Sequence, residues 1–168
     1  MDEKNKEFLR RLRDTFRIEA AEHIRAISAG LMNLEKNPDM EKLAELIESI
    51  FREAHSLKGA ARSVDSKDVE SVCQPLESVF SALKRREIAL SPAMFDLFHL
   101  AVNIIEQLIS STHEERTPAD RSNVRALIRQ LVEVTRGAMP QGVPEEPGQV
   151  EKTATGKITL DTLASSVA

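Results

Sequence analysis

A histidine followed by a lysine and a glycine one helical turn later is the group of residues best suited to chemistry in this sequence. His55, Lys58 and Gly59 lie within the segment EAHSLKGAAR at residues 53–62. A neutral imidazole nitrogen is a nucleophile, and the second ring nitrogen carries the proton. Residues three and four apart share one patch of a helix surface. This spacing predicts an exposed nucleophilic histidine beside a cation and a position without a side chain.

The glycine is the member of this group that most needs a physical reason. Glycine in a helix interior costs about 1 kcal/mol relative to alanine, and close approach of another backbone or partner is one such reason. Of the six glycines in the chain, the first 136 residues hold just Gly30 and Gly59. A body so poor in glycine argues against a sheet-rich fold. It also excludes a glycine-rich nucleotide loop, so the chain is not itself a complete kinase.

The hydrophobic spacing that must position these residues is helical throughout the body. We expect five amphipathic helices between about residues 3 and 137, joined by short connections. The first carries a stripe that includes Leu9, Leu12 and Phe16, and Asp65 or Ser66 caps the third. Short connections favour antiparallel neighbours. The predicted fold class is therefore all-α, an antiparallel four-helix bundle with a fifth helix packed alongside.

The composition changes at Gly137. We predict a helical bundle over residues 1–137, followed at residues 138–168 by a Pro/Gly/Glu-rich linker and the start of a downstream segment. The final KITLDTLASSVA alternates briefly and then stops. Two interpretations remain open for it: the chain is an excised fragment of a longer protein, or this segment is a frayed tail.

Charge and cysteine content exclude several classes of function. The net charge of −4 argues against a general nucleic-acid-binding surface. The charged N-terminus is not a signal peptide, and no apolar run is long enough for membrane insertion. Cys73 is the single cysteine. It lies on an apolar stripe, which predicts a buried core residue and fits a reducing, cytoplasmic location. No spacing of metal ligands is present, so we expect no metal site.

The segment AHSLKGAAR, at residues 54–62, resembles the phosphoacceptor motif of histidine-containing phosphotransfer (HPt) domains. It is most similar to the N-terminal P1 domain of CheA-type chemotaxis histidine kinases, whose pattern is close to A-H-S-x-K-G-x-A/G. The resemblance covers roughly residues 5–135 and includes the same helix order. It implies that His55 is the phosphoacceptor.

The resemblance also implies a role for the third helix. The family places a carboxylate there that bonds one ring nitrogen of the histidine, and this position matches Glu77, with Gln74 one turn earlier. On this basis Glu77 holds Nδ1–H and Nε2 of His55 attacks the γ-phosphoryl of ATP. Lys58 then offers positive charge to the phosphoryl oxygens.

Pro75 departs from a regular helical pattern. A proline inside a helix removes one backbone hydrogen bond and costs about 3 kcal/mol. We therefore expect the third helix either to bend at Pro75 or to start later than its apolar stripe indicates. This leaves the position of Gln74 open.

Three further residues are expected to contact a docking partner: Ser56, Gly59 and Arg62. Arg62 either steers an acidic partner or is simply solvated. The other three histidines (His23, His99 and His113) are expected to be ordinary surface or boundary residues. Lys84, at the end of the third helix, suits the helix dipole.

The predicted function is that of a phosphotransfer module in a two-component phosphorelay. His55 would accept a phosphoryl group from an ATP-binding histidine kinase domain, in cis or across a dimer, and pass it to an aspartate of a response-regulator receiver domain. The kinase domain would supply ATP and Mg²⁺, and this chain binds no cofactor. If the chain is a fragment, its parent is a CheA-type protein histidine kinase. The alternative is a non-catalytic helical adaptor that binds a partner protein.

Overall fold

Five α-helices account for most of residues 2–138, which are the residues that a computed structural model describes. They are α1 (Glu3–Glu35), α2 (Met40–Ser63), α3 (Lys67–Lys84), α4 (Pro92–Ser110) and α5 (Pro118–Thr135), with a short 3-10 helix at His113–Glu115. Within residues 2–138 there is no strand, so the predicted all-α class is confirmed. Most of the predicted linker and the downstream segment, residues 139–168, lie outside the described residues.

The first four α-helices form a closed ring of neighbours. α1 packs on α2, α2 on α3, α3 on α4 and α4 on α1. Short connections reverse the chain direction between successive helices, which gives an antiparallel bundle. α5 packs against α3 and α4. The predicted bundle with a fifth helix alongside is therefore confirmed.

Side-chain caps fix where the helices begin. Asp39 caps α2 by accepting a hydrogen bond from the backbone N–H of Lys42 at 2.8 Å. Thr117 and Asp120 cap α5 reciprocally: the Asp120 N–H donates to Thr117 Oγ1 at 3.1 Å, and the Thr117 N–H donates to Asp120 Oδ2 at 2.8 Å. These bonds satisfy N–H groups that have no partner within the helix.

The scarcity of glycine does not prevent the helices from ending sharply. Asn37, Asp65 and Arg86 follow α1, α2 and α3, and each has a positive φ between 55° and 59°. This left-handed conformation usually falls to glycine. Asn and Asp adopt it more readily than other residues, since their short side chains bond locally. Non-glycine residues thus make the turns of this bundle.

Pro75 does not delay the start of α3. The helix begins at Lys67 and runs continuously through Pro75, which is buried. Of the two alternatives expected for Pro75, the later start is therefore excluded. The physical reason is burial of the flanking apolar residues, since Val72, Cys73 and Leu76 are at most 1% exposed. Each buried aliphatic side chain contributes about 1.5–3 kcal/mol, which offsets the hydrogen bond lost at the proline.

The first part of α1 lies outside the core, contrary to the predicted stripe. Leu9 is 39% exposed and Phe8 is 62% exposed, whereas burial begins at Phe16. The reason is length: α1 has 33 residues and α2, which packs beside it, has 24. The stripe of α1 therefore continues past the helices that could cover it.

α4 is the most apolar helix of the bundle. It is long and apolar enough to cross a membrane by length and composition alone. Eight of its residues are buried among the other helices. Its hydropathy is accounted for by its place in the bundle core.

Candidate functional site

The site lies where α2 and α3 pack together, and buried neighbours set its orientation. Ala54 and Leu57 are fully buried on α2, and Leu76 is 1% exposed on α3. His55 follows Ala54, so its side chain leaves the edge of the packed stripe towards solvent. Glu77 follows Leu76 and leaves the edge of α3 on the same side. The packing of two apolar stripes thus brings a histidine and a carboxylate together.

His55 and Glu77 form a hydrogen bond across the two helices. His55 Nδ1 lies 2.8 Å from Glu77 Oε1. An ionised carboxylate only accepts, so Nδ1 carries the proton and Nε2 keeps its lone pair. The His55 side chain is 63% exposed while that of Glu77 is 13% exposed. No hydrogen bond within residues 2–138 uses His55 Nε2, so its lone pair is free on an exposed ring.

Lys58 is bound to the same carboxylate rather than directed at solvent. Its Nζ lies 2.5 Å from Glu77 Oε2, and its side chain is 14% exposed. Nζ also donates to Gln74 Oε1 at 3.1 Å. The ion pair gives the buried Oε2 of Glu77 a partner. Lys58 therefore neutralises and orients the carboxylate in this structure.

The charges of this cluster keep Glu77 ionised. Burial by itself would raise the pKa of Glu77, but hydrogen bonds from Lys58 and His55 outweigh it and hold the pKa below the ordinary value of 4.5. A carboxylate at neutral pH stabilises a positive imidazole ring beside it. The cluster is thus suited to a reaction in which positive charge develops on His55.

The three predicted docking residues flank this cluster on α2. Ser56 and Gly59 are exposed, and a Cβ atom placed on Gly59 meets nothing within 4 Å. Arg62 donates from Nε and Nη2 to Glu70 Oε1, at 2.8 and 2.6 Å, which adds a second bridge between α2 and α3. The surface beside His55 is therefore open at Gly59, and the charge of Arg62 is paired with that of Glu70.

Sequence reasoning missed an aromatic residue that contacts His55. The ring of Phe51 stacks on that of His55 with centroids 6.3 Å apart and planes at 26°. Lys84 Nζ lies 5.1 Å from the centre of the Phe51 ring. It also pairs with Glu48 at 2.6 Å, so Lys84 does more than complement the helix dipole. The spacing could have revealed the aromatic contact, because Phe51 stands four residues before His55 on α2.

His23 shows what distinguishes His55 from another paired histidine. His23 Nδ1 lies 2.6 Å from Glu53 Oε2, which is the same type of bond. However, its side chain is 20% exposed and its Nε2 faces Glu19 Oε1 at 3.7 Å. A carboxylate beside Nε2 repels an incoming phosphoryl group. A paired Nδ1 is therefore not sufficient to leave a histidine open to an incoming group. The exposure of Nε2 distinguishes His55 from His23.

Other reactive chemistry has no support in the described part of the chain. Among residues 2–138, no three His, Cys, Asp or Glu side chains converge to hold a metal ion. Cys73 is buried as predicted, and burial raises the pKa of its thiol to about 12. A thiol with that pKa stays protonated and unreactive at neutral pH.

Comparison with known proteins identifies the class. The model of the Hpt domain family matches residues 11–136, and the chain belongs to this family. It is a phosphotransfer module of the kind found in two-component signalling systems. The predicted resemblance to HPt domains is thus confirmed.

The proteins to which the chain is similar include two chemotaxis proteins and a sensor histidine kinase. It is 28% identical over 120 residues to the chemotaxis protein CheA of Listeria monocytogenes, covering 71% of this chain and 19% of that protein. The CheA of Bacillus subtilis is 29% identical over 99 residues, covering 58% and 14%. The sensor histidine kinase CheAY of Helicobacter pylori is 24% identical over 130 residues, covering 76% and 16%. The chain thus spans a fifth or less of the length of these relatives.

Proposed function

We propose that His55 accepts a phosphoryl group from ATP, held by a separate histidine kinase domain, and passes it to an aspartate of a response-regulator receiver domain. One observation supports this most strongly: Nδ1 of His55 is bound to Glu77 at 2.8 Å, and the imidazole is 63% exposed. A nucleophile must present a lone pair outward while its proton is held elsewhere. The His55–Glu77 pair meets both requirements.

The transfer needs little from the bundle beyond position and charge. The Nε2 lone pair of His55 forms a bond to the γ-phosphorus of ATP as the bond to the bridging oxygen breaks, and ADP leaves with that electron pair. The ring then carries positive charge, which the Glu77 carboxylate stabilises through Nδ1–H. The reverse logic applies to donation: the receiver aspartate attacks the phosphorus and His55 leaves as a neutral ring.

The site and the relatives support the partners in this proposal. No nucleotide-binding loop lies in the sequence, so ATP and Mg²⁺ belong to the kinase domain. The relatives are named chemotaxis protein CheA and sensor histidine kinase CheAY. These names support a chemotaxis-type histidine kinase as the source of the kinase domain, acting in cis or across a dimer. We place this kinase in the cytoplasm. The exposed Ser56, Gly59 and Arg62 provide the surface on which kinase and receiver domains dock.

The direct test uses the full 168-residue chain. Incubation with a CheA-type catalytic domain and radiolabelled Mg-ATP should label the chain, and the label should be labile in acid and stable in base. His55→Gln should abolish labelling. The matched control is His23→Gln, which removes a histidine with the same Nδ1–carboxylate bond and should leave labelling unchanged.

Two results would contradict the proposal. Full labelling of His55→Gln would place the acceptor elsewhere. Binding to a receiver domain that is indifferent both to phosphorylation and to His55→Gln would instead favour the non-catalytic adaptor.

A further inference from the structure

The imidazole ring of His55 is exposed, so few contacts fix its orientation. One hydrogen bond to Glu77 holds the ring at Nδ1, and rotation about the Cβ–Cγ bond would break it and place a carbon towards the carboxylate. A side chain that is 63% exposed has few neighbours to prevent this. Phe51 is such a neighbour, because its ring lies 6.3 Å from the His55 ring at 26°. That separation is within the range of favourable aromatic pairs, 4.5–7 Å.

Phe51 is itself held from α3. The Lys84 ammonium lies 5.1 Å from the centre of the Phe51 ring, within the distance at which a cation is attracted to an aromatic face. Glu48 fixes Lys84 at 2.6 Å and also accepts from Arg52 Nε at 2.8 Å. Glu48 on α2 therefore holds Lys84 on α3, and Lys84 in turn contacts the Phe51 ring beside His55.

We propose that Phe51 is a positioning residue that holds the imidazole of His55 in the plane that bonds Glu77, and that Lys84 keeps Phe51 in place. Without the stacked ring, the imidazole samples orientations in which the Glu77 bond is broken and Nε2 is misdirected. This inference rests on the proposed function for its effect on transfer. Its effect on the orientation of the ring does not depend on any reaction.

The test uses the full chain with Phe51→Leu, which keeps apolar volume but removes the ring, and Phe51→Tyr, which restores the ring. Phosphoramidate serves as a small phosphoryl donor, so that partner docking does not enter. We expect Phe51→Leu to label about two- to tenfold more slowly, the range that corresponds to the loss of one aromatic pair. Phe51→Tyr should label at the wild-type rate. Phe8→Leu is the matched control, because Phe8 is 62% exposed on α1.

Imidazole nitrogen NMR supplies the second readout. In the wild type, the shifts should report a proton on Nδ1 of His55, and Phe51→Leu should move them towards the mixture of tautomers of a free imidazole. Lys84→Met should produce the same change to a smaller extent. Thermal melting of each variant confirms that it is folded.

The possible outcomes separate the two proposals. An unchanged tautomer and labelling rate in folded Phe51→Leu would overturn the positioning role, as would failure of folded Phe51→Tyr to restore them. If wild-type His55 accepts no phosphoryl group but its tautomer still depends on Phe51, the proposed function fails and the positioning role stands.

Discussion

At the scale of single residues, the carboxylate of Glu77 organises the candidate site. It receives His55 on one oxygen at 2.8 Å and Lys58 on the other at 2.5 Å. The family resemblance identified Glu77 on α3 and implied its bond to the histidine. The pairing with Lys58 was not foreseen. A lysine three residues after the histidine can face either a partner or the neighbouring helix, and only the packing of α2 on α3 decides which.

The first prediction concerns the pH dependence of stability through Glu77. Its pKa is lower in the folded chain than the ordinary value of 4.5. The ionised form therefore stabilises the fold at pH values above the unfolded pKa, and this stabilisation is lost as the pH falls through the folded value. Glu77→Gln should lower the free energy of unfolding by about 1–3 kcal/mol at neutral pH. Its stability should also fall less steeply than that of the wild type as the pH falls from neutral through the unfolded pKa of 4.5 and below.

Urea denaturation at a series of pH values measures this difference. Glu106→Gln, an exposed change on α4, is the matched control and should follow the wild-type profile. If the free energy of unfolding falls in parallel for Glu77→Gln and the wild type as the pH is lowered, the contacts of Glu77 do not stabilise its ionised form over its protonated form.

At the scale of helices, the two glycines of the bundle lie in opposite surroundings: Gly30 is closely packed and Gly59 faces open space. A Cβ atom on Gly30 would lie 2.7 Å from Ile50 Cγ1 and 3.0 Å from Ile50 Cδ1, so α1 approaches α2 closely there. A Cβ atom on Gly59 would meet nothing within 4 Å. The sequence singled out Gly59 from its position and left Gly30 unexplained. The helix–helix contact supplies the missing reason, since Ile50 is fully buried.

The second prediction compares the same substitution at both glycines. Gly30→Ala should lower the free energy of unfolding by about 1–3 kcal/mol through overpacking against Ile50. Gly59→Ala should raise it by up to about 1 kcal/mol, because alanine is the better helix former and the space is open. Chemical denaturation of the two variants measures both signs.

The third prediction tests whether Gly59 contributes to docking of the kinase domain, independently of its effect on stability. Gly59→Ala should slow labelling by the kinase domain while leaving labelling by phosphoramidate unchanged, since only the larger partner meets the added methyl group. Initial rates with the two donors test this. Equal rates for the variant and the wild type with the kinase domain would remove Gly59 from the docking surface.

At the scale of the whole molecule, polar bridges join the helices around a wholly apolar core. Three of the four histidines pair with a glutamate on a neighbouring helix: His23 with Glu53, His55 with Glu77 and His99 with Glu35. Arg116 joins three regions of the chain. It pairs with Asp68 on α3, donates to the Leu108 carbonyl on α4 at 2.9 Å, and stands just before α5. The Arg116 side chain is 9% exposed and that of Asp68 is 43% exposed, so the guanidinium is shielded from water more than its partner carboxylate is.

The fourth prediction tests this anchor. Arg116→Met should lower the free energy of unfolding by about 2 kcal/mol, because the Leu108 carbonyl loses its charged donor in a shielded environment. Arg125→Met, an exposed change on α5, is the matched control and should stay within about 0.5 kcal/mol of the wild type. Urea denaturation measures both. Equal stability of the two variants would show that Arg116 does not hold the α4–α5 connection in place.

The sequence by itself determined the helices, the order of the bundle and the position of the histidine. These depend on hydrophobic periodicity and capping residues. Both act between residues a few positions apart and can therefore be recognised in the sequence. The family pattern around His55 added the identity of the carboxylate. Whether α3 continues through Pro75 could not be predicted from the sequence. The free energy lost with one hydrogen bond had to be compared with the free energy gained by burial against residues distant in the sequence.

Only the tertiary structure decided which side chains meet across α2 and α3. It paired Lys58 with Glu77, placed Lys84 of α3 over the Phe51 ring of α2, and showed that Nε2 of His55 is open while that of His23 is not. These are contacts between residues on different helices, or between one residue and solvent. They depend on the rotation and offset of packed helices, which the apolar stripe of a single helix does not specify.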